Sequence, residues 1–296
     1  MPDPSFSGSG VALITPFADD RIAENVLREL VRFHHDGGTD ALIVCGSTGE
    51  AATMSVDEQR QAVEIVIDEN GGRLPIIVGA GGSSTREVVR LAEQAVKAGA
   101  DALLVSGPPY NKPTQEGLIL HVRAVLEATD APVILYNVPG RSAVNMLPAT
   151  IATLAEDDRV IGVKEASGDL SQIAEVARLT RGRLELYSGN DDQVLPIMSL
   201  GGRGVISVLA NVAPTAVSRM AKAYLEGATT EATSLQLQYL PLIQALFVES
   251  NPIPVKAGVG MLGFDVGPLR LPLTEATAAT RQRLAAAMRD VGLIER

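Results

Sequence analysis

The length, composition and charge of this chain exclude several classes of protein. Its 296 residues, 46% of them hydrophobic, are enough for one large α/β barrel with a short appendage. The net charge of −10 argues against nucleic acid or an anionic membrane as a partner, and the single cysteine, Cys45, excludes an internal disulfide and a multi-cysteine zinc site.

The N-terminal segment MPDPSFSGSG has neither the basic nor the apolar region of a signal peptide. No apolar run approaches the roughly 18 uncharged residues that a membrane-spanning helix needs. We therefore expect a soluble protein that resides in the cytoplasm and does not contact membranes.

Eight short apolar runs recur along the chain. Near-continuous hydrophobicity of this kind is typical of parallel strands that are covered on both faces, so each run predicts one buried strand. The runs are VALITPF from Val11, DALIVCG from Asp40, PIIVGAG from Pro75, DALLVSG from Asp101, PVILYNVP from Pro132, VIGVKEA from Val160, LELYSG from Leu184 and GVISV from Gly204.

Amphipathic segments separate these strands and predict helices. Ser55 with Glu58, and Ser84 with Glu87, have the spacing of a capping box, in which each side chain bonds the free amide of the other residue. Strand and helix alternate eight times with short links, which predicts a (β/α)8 TIM barrel. An open doubly wound sheet is the main rival, but eight regular units favour closure.

The strand signal ends near residue 225. Three helical stretches follow, at about 229–248, 253–262 and 274–292. We therefore predict a catalytic barrel over residues 1–225 and a small C-terminal helical domain over residues 226–296.

The active-site residues of such barrels lie at the C-terminal ends of the strands. We expect six polar side chains to meet at this mouth of the barrel: one lysine, two tyrosines, a serine, a threonine and an arginine. They belong to four polar segments that end or follow predicted strands: Gly46–Glu50, Gly107–Asn111, Tyr136–Arg141 and Lys164–Asp169.

Lys164 carries the strongest chemical signal, because it interrupts an apolar strand. If it points inward, burial lowers its pKa by disfavouring the charged amine. A neutral amine can attack a ketone and form an imine, whose protonated form acidifies the neighbouring carbon. The alternative is a strand-end lysine that reaches solvent or pairs with Glu165.

Other polar residues at the mouth suggest supporting roles. Tyr136 can transfer protons during imine formation, and Ser47 can relay a proton between Tyr136 and Tyr110. The amides of the Gly46–Gly49 turn can bind a carboxylate, and the Arg141 guanidinium can clamp one bidentately. The alternatives are structural tyrosines, a hydroxyl that bonds the backbone and a surface salt bridge.

Several remaining signals favour structural readings. Cys45 is expected to be a buried strand residue. The glycine-rich segment Gly201–Gly204 precedes the eighth strand, so we expect a helix-to-strand turn rather than a phosphate site. Three histidines fall on predicted helices rather than at strand ends, so no metal site is expected; they are His34, His35 and His121.

Three motifs carry a family resemblance: GSTGE at Gly46–Glu50, YNVPGR at Tyr136–Arg141 and GVKEASGD at Gly162–Asp169. In this order they resemble the dihydrodipicolinate synthase / N-acetylneuraminate lyase family of class I pyruvate aldolases. VISVLANV from Val205 and NPIPVK from Asn251 extend the resemblance over nearly the whole chain. The family implies a barrel with a C-terminal helical domain, a homotetramer built as a dimer of dimers, and no cofactor beyond a covalent pyruvate–lysine imine.

The resemblance also implies a role for each matching residue. Lys164 corresponds to the lysine that forms the pyruvate Schiff base, and Tyr136 to the proton-transfer residue. Ser47 matches a threonine of the family, and Tyr110 matches the tyrosine that crosses the tight dimer interface. Substrate-binding positions are Thr48, which holds the pyruvate carboxylate, Ile206, whose backbone lines the pyruvate pocket, and Gly189.

Arg141 separates the branches of the family. In the synthase branch this arginine binds the carboxylate of aspartate semialdehyde, whereas the neuraminate lyases lack it. The resemblance therefore favours condensation of pyruvate with L-aspartate semialdehyde in lysine and diaminopimelate biosynthesis. The alternatives are a 2-keto-3-deoxy sugar acid aldolase or dehydratase and a neuraminate lyase. More distant are a non-catalytic binding barrel and a metal- or phosphate-dependent barrel enzyme.

The chain departs from enterobacterial-type members where those enzymes bind lysine as a feedback inhibitor. Val56 and Gln59 stand in place of histidines and Ser83 in place of an asparagine, although Glu87 remains. A cationic ligand would keep one carboxylate partner and lose several polar and aromatic contacts. We therefore expect weak or absent inhibition by L-lysine.

Overall fold

In the computed structural model, which describes residues 5–295, eight parallel strands close into a barrel. Each strand is hydrogen-bonded to its neighbours in chain order, and the first strand pairs with both the second and the eighth. The predicted TIM barrel is confirmed, and an open doubly wound sheet is excluded because that sheet would leave unpaired edges. The strands are β1 (Gly8–Ala12), β2 (Ala41–Val44), β3 (Ile76–Ala80), β4 (Ala102–Ser106), β5 (Val133–Asn137), β6 (Val160–Glu165), β7 (Glu185–Ser188) and β8 (Gly204–Ser207).

Helices follow the strands in alternation and cover the outside of the barrel. Two short helices, rather than one, connect β5 to β6, and a small antiparallel ribbon of Phe17–Ala18 and Arg21–Ile22 follows β1. The barrel helices are α1 (Glu24–Asp36), α2 (Val56–Asn70), α3 (Thr85–Ala98), α4 (Gln115–Ala128), α5 (Pro139–Ser142), α6 (Pro148–Leu154), α7 (Leu170–Leu179), α8 (Val194–Ser199) and α9 (Pro214–Leu225).

The first strand lies earlier in the chain than its apolar run suggested. β1 begins at Gly8 rather than at Val11, because small residues there allow neighbouring backbones to approach closely. A Cβ atom at Gly204 in β8 would lie 1.9 Å from the Gly8 carbonyl oxygen, which no side chain could tolerate. Hydrophobicity alone therefore missed a strand end that is defined by close backbone contact.

Of the two predicted capping boxes, one is confirmed and one is wrong. At the start of α2, the Ser55 hydroxyl accepts from the Glu58 amide and the Glu58 carboxylate accepts from the Ser55 amide. Ser84 does precede α3, but its side chain makes no capping bond. The Glu87 amide donates to the Ser84 carbonyl oxygen instead.

The interior of the barrel is filled with side chains and is closed at its N-terminal end. Phe6 stacks on Tyr187 with ring centroids 4.5 Å apart, and the Tyr187 hydroxyl donates to the Phe6 carbonyl oxygen at 2.8 Å. Gly10 leaves room for this ring, since a Cβ there would lie 2.6 Å from Phe6. The buried interior cluster consists of Phe6, Ala12, Ala41, Ile43, Ile77, Ala102, Leu104, Ile134, Tyr187 and Ile206.

Three further helices follow the barrel, as predicted: α10 (Thr229–Leu246), α11 (Ile253–Met261) and α12 (Ala278–Asp290). The last is shorter than expected because Thr277 caps it, its side chain accepting from the Thr280 amide. α9 ends at Leu225, and the division into domains at residues 225 and 226 stays a prediction. Within residues 5–295, no helix combines the length and apolar character needed to cross a membrane.

The ring of Phe6 is expected to contribute strongly to stability. Phe6→Ala should lower the free energy of unfolding by about 3–5 kcal/mol, because it leaves a cavity at the closed end of the barrel. Urea denaturation followed by circular dichroism measures this. Leu225→Ala, at a position that is 45% exposed, should change the free energy by no more than about 0.5 kcal/mol and serves as the control. Equal effects of the two substitutions would contradict the packing role of Phe6.

Candidate active site

Lys164 lies on β6 at the C-terminal mouth of the barrel. β6 pairs with β5 so that Lys164 and Tyr136 are direct neighbours, and the Lys164 amine lies 4.4 Å from the centroid of the Tyr136 ring. Because side chains alternate along a strand, Glu165 points to the other face of the sheet. Its carboxylate accepts from the Asn137 side chain and the Ser167 amide instead of pairing with Lys164.

The surroundings of Lys164 favour the neutral amine. Only 5% of the residue is exposed, and burial lowers its pKa to about 7. The Asp191 carboxylate opposes this shift and the Arg141 guanidinium adds to it. In the described part of the chain, no carboxylate lies within ion-pair distance of this amine. A large share of the lysine is therefore available as a nucleophile near neutral pH.

Tyr136 stays protonated beside this amine. Burial raises the pKa of its phenol to about 12, and the positive charge of Arg141 partly opposes the rise. A phenol in this state can donate its proton to a developing hydroxyl or alkoxide and recover it in a later step.

The turn after β2 presents backbone amides to the mouth. Gly46 accepts from the Gly49 amide, and the Thr15 hydroxyl donates to the Gly49 carbonyl oxygen at 2.7 Å. The amides of Ser47 and Thr48 have no acceptor among residues 5–295, so they are free to bind a carboxylate. The Ser47 side chain is exposed and makes no hydrogen bond with the described residues, so the predicted relay from Tyr136 through Ser47 to Tyr110 is not formed within the chain.

Arg141 lies on a one-turn helix, α5. Pro139 starts this helix because its fixed φ angle suits a first helical position. The guanidinium of Arg141 donates to the carbonyl oxygen of Asn251 at 2.9 Å. The Asn251 side-chain amide donates in turn to the Thr48 hydroxyl at 2.8 Å. The C-terminal segment NPIPVK therefore joins the two predicted carboxylate-binding residues.

Gly189 lies against the side-chain stem of Lys164, and Ile206 lies in the barrel interior. A Cβ at Gly189 would lie 2.7 Å from the Ala166 side chain and 3.1 Å from Cε of Lys164, so only glycine leaves the lysine stem in place. Ile206 lies on β8 and is fully buried in the barrel interior.

Tyr110 is the predicted site residue that the structure places away from the others. Its side chain is 89% exposed, and its backbone is left-handed with φ of 71°. The chain alone therefore does not bring the Tyr110 hydroxyl to Lys164 or Tyr136.

The comparison with known proteins agrees with this geometry. The profile of the "Dihydrodipicolinate synthetase family" matches residues 5–291. The chain belongs to this family. A 4-hydroxy-tetrahydrodipicolinate synthase from Thermoanaerobacter sp. (strain X514) is 50% identical over 293 residues, which are 99% of each chain.

Solved structures of the dihydrodipicolinate synthetase family superimpose closely. The dihydrodipicolinate synthase of Thermotoga maritima is 42% identical, with a TM-score of 0.96 over 98% of this chain and 99% of that chain. The enzyme of Acinetobacter baumannii, solved in complex with pyruvate, is 40% identical, with a TM-score of 0.95 over 98% of this chain and 100% of that chain.

Asp191 is a buried carboxylate that interacts electrostatically with Lys164, and the sequence analysis did not single it out. It is 2% exposed, and its carboxylate accepts from the Ser207 hydroxyl and from the amides of Val208 and Leu209. Burial raises its pKa, and these donors and Lys164 oppose the rise. Its position just after β7 is the signal that could have found it, because polar residues that follow barrel strands lie at the mouth.

The residues that we assigned to structural roles make structural contacts, and the Cys45 thiol donates to the Gln59 carbonyl oxygen of α2 at 3.6 Å. Cys45 is buried, and burial raises the pKa of its thiol to about 12, so it is a poor nucleophile. His34 and His121 are buried helix residues that bond the hydroxyls of Thr39 and Thr85. Gly201–Gly204 forms the predicted turn from α8 to β8.

Reaction of Lys164 with pyruvate should depend on pH with a midpoint near pH 7. Below the midpoint the amine is protonated and unreactive, so the rate rises with pH and then levels off. The rate of adduct formation with pyruvate and cyanoborohydride at fixed low pyruvate measures this. Arg141→Ala should move the midpoint to higher pH, because the arginine charge lowers the pKa of Lys164. A midpoint near pH 10 in the native protein would contradict the desolvation of this lysine.

Proposed function

We propose that this protein condenses pyruvate with L-aspartate semialdehyde to give 4-hydroxy-tetrahydrodipicolinate, through an imine between pyruvate and Lys164. One observation carries the proposal: the Lys164 amine is buried at the mouth of the barrel, with a pKa of about 7, against the Tyr136 ring. The names of the relatives, above all the synthase that is 50% identical over 99% of the chain, support the choice of substrates.

The chemistry follows from the two buried groups. The neutral Lys164 amine adds to the pyruvate carbonyl carbon, and Tyr136 supplies the proton with which the carbinolamine loses water. The protonated imine withdraws electrons, so the pyruvate methyl group loses a proton and an enamine forms. The enamine carbon attacks the aldehyde carbon of the semialdehyde. The amino group of the adduct then attacks the imine carbon, closes the ring and releases Lys164.

The polar residues of the mouth would bind the two carboxylates. The free amides of Ser47 and Thr48, with the Thr48 hydroxyl, suit the pyruvate carboxylate. Arg141, held by the Asn251 carbonyl oxygen, suits the carboxylate of the semialdehyde, and this is the contact that favours a synthase over a neuraminate lyase. No step in this sequence requires a cofactor beyond the covalent imine.

Assembly, location and regulation are part of the proposal. We propose a homotetramer built as a dimer of dimers. In the single chain the Tyr110 side chain is 89% exposed, and in this assembly it would contact a partner subunit. We also propose a cytoplasmic location. Weak or absent inhibition by L-lysine stays a prediction.

A coupled steady-state assay tests the reaction. Pyruvate and L-aspartate semialdehyde are supplied with excess dihydrodipicolinate reductase, and loss of NADPH is followed. We expect turnover that disappears in Lys164→Ala, because that variant has no amine for the imine. Absence of turnover in the native protein, with pyruvate still attached to Lys164 after reduction, would move the second substrate to a sugar acid or another aldehyde.

Arg141→Ala should affect the two substrates unequally. The kcat/KM for the semialdehyde should fall about 10- to 100-fold, which corresponds to charge-assisted hydrogen bonds worth about 1.5–3 kcal/mol. Half-saturation by pyruvate, measured by reductive trapping at a pH well above the lysine midpoint, should change much less. Arg123→Ala, which changes another arginine outside the site, is the matched control. Equal losses for both substrates would contradict the role of Arg141.

A further inference from the structure

A buried ion pair connects the turn after β2 to the C-terminal helices. The Lys256 amine on α11 lies 2.7 Å from the Glu50 carboxylate, and the two side chains are 2% and 1% exposed. The two residues are 206 positions apart in the sequence. Neither takes part in the proposed chemistry, although each belongs to a motif that carries the family resemblance.

Both members of this pair make further contacts with the C-terminal segment. The Lys256 amine donates to the Pro268 carbonyl oxygen at 2.8 Å and lies 4.5 Å from the centroid of the Phe17 ring. The second carboxylate oxygen of Glu50 accepts from the Arg270 amide at 3.0 Å. A buried carboxylate therefore receives donors from two points of the C-terminal segment. Burial lowers the pKa of Lys256 and the Glu50 carboxylate opposes this shift, as expected of a matched pair.

Glu50 closes the turn that presents the free amides. Its backbone is left-handed, with φ of 56°, a conformation that is unfavourable for a residue with a side chain. Its amide donates to the Ser47 carbonyl oxygen at 3.3 Å, and its own carbonyl oxygen accepts from Thr53. The side-chain contacts of Glu50 therefore hold a strained residue that lies only two positions after Thr48.

We propose that Glu50 and Lys256 are positioning residues, which hold the Gly46–Gly49 turn so that its amides can bind the pyruvate carboxylate. The proposal rests on the proposed function, because it concerns the pyruvate site. The C-terminal helices would thereby support the active site of the barrel, although they contribute none of the reacting atoms. Loss of the pair should weaken pyruvate binding and leave the Lys164 amine reactive, since that amine is held by β6.

The experiment uses a double variant, Glu50→Gln with Lys256→Met. Either single substitution leaves one buried charge without a partner and endangers folding, whereas replacing both members of a buried ion pair is often close to neutral for stability. Reductive trapping over a range of pyruvate concentrations gives the half-saturating concentration and the maximal trapping rate. We expect the half-saturating pyruvate concentration to rise about 10-fold or more, because a misplaced binding group weakens binding. The maximal trapping rate should change by less than about 2-fold, because the reacting amine stays in place. Circular dichroism verifies that the variant is folded.

Leu126→Ala is the matched control for general loosening. Leu126 is buried in α4, so its truncation destabilises the barrel without touching the ion pair, and its half-saturating pyruvate concentration should equal that of the native protein. A folded double variant with native half-saturation would overturn the positioning role and leave the proposed function intact. Absence of any trapped pyruvate in the native protein would overturn the proposed function itself, and the positioning role with it.

Discussion

An amine held away from water is the physical constraint on which this active site depends. The Lys164 amine has a pKa of about 7 instead of 10.5, so its protonated form destabilises the folded protein by an amount on the order of 5 kcal/mol. This cost is largest below pH 7 and disappears as the pH rises toward 10.5, where the amine is neutral in both folded and unfolded protein. The closed, densely filled barrel tolerates such a residue, and an imine-forming enzyme needs it.

The surrounding structure keeps the amine in this state. Phe6 and Tyr187 close the N-terminal end of the barrel, so the open mouth is at the opposite end. Glycine at position 189 leaves space for the lysine stem, and the buried Asp191 carboxylate only partly opposes the lowered pKa of the amine. The C-terminal segment reaches the same mouth through Asn251 and Lys256, which contact Thr48 and Glu50.

The sequence predicted the barrel and the positions of most candidate site residues, for clear physical reasons. Parallel strands covered on both faces give continuous apolar runs, so a lysine such as Lys164 inside one of them is conspicuous. Strand-end residues converge in a closed barrel, which brought Tyr136, Thr48 and Arg141 to one mouth without any further information. The first of these predictions follows from the local sequence pattern, and the second follows from the topology of a closed barrel.

Other features depend on contacts that no local pattern records. The Glu50–Lys256 pair and the Asn251–Thr48 contact join positions about 200 residues apart. The true start of β1 depends on backbone contact with Gly204. The exposure of Tyr110 could not be read from its motif, because the resemblance places this tyrosine at a subunit interface rather than within one chain.

Mass spectrometry of the reduced pyruvate adduct identifies the lysine that acts as the nucleophile. The protein is incubated with pyruvate and borohydride, digested, and searched for the modified peptide. We expect one adduct per chain, on the Lys164 amine, and none in Lys164→Ala. An adduct on Lys256 or on exposed lysines only, or no adduct at all, would contradict the assignment of Lys164 as the nucleophile.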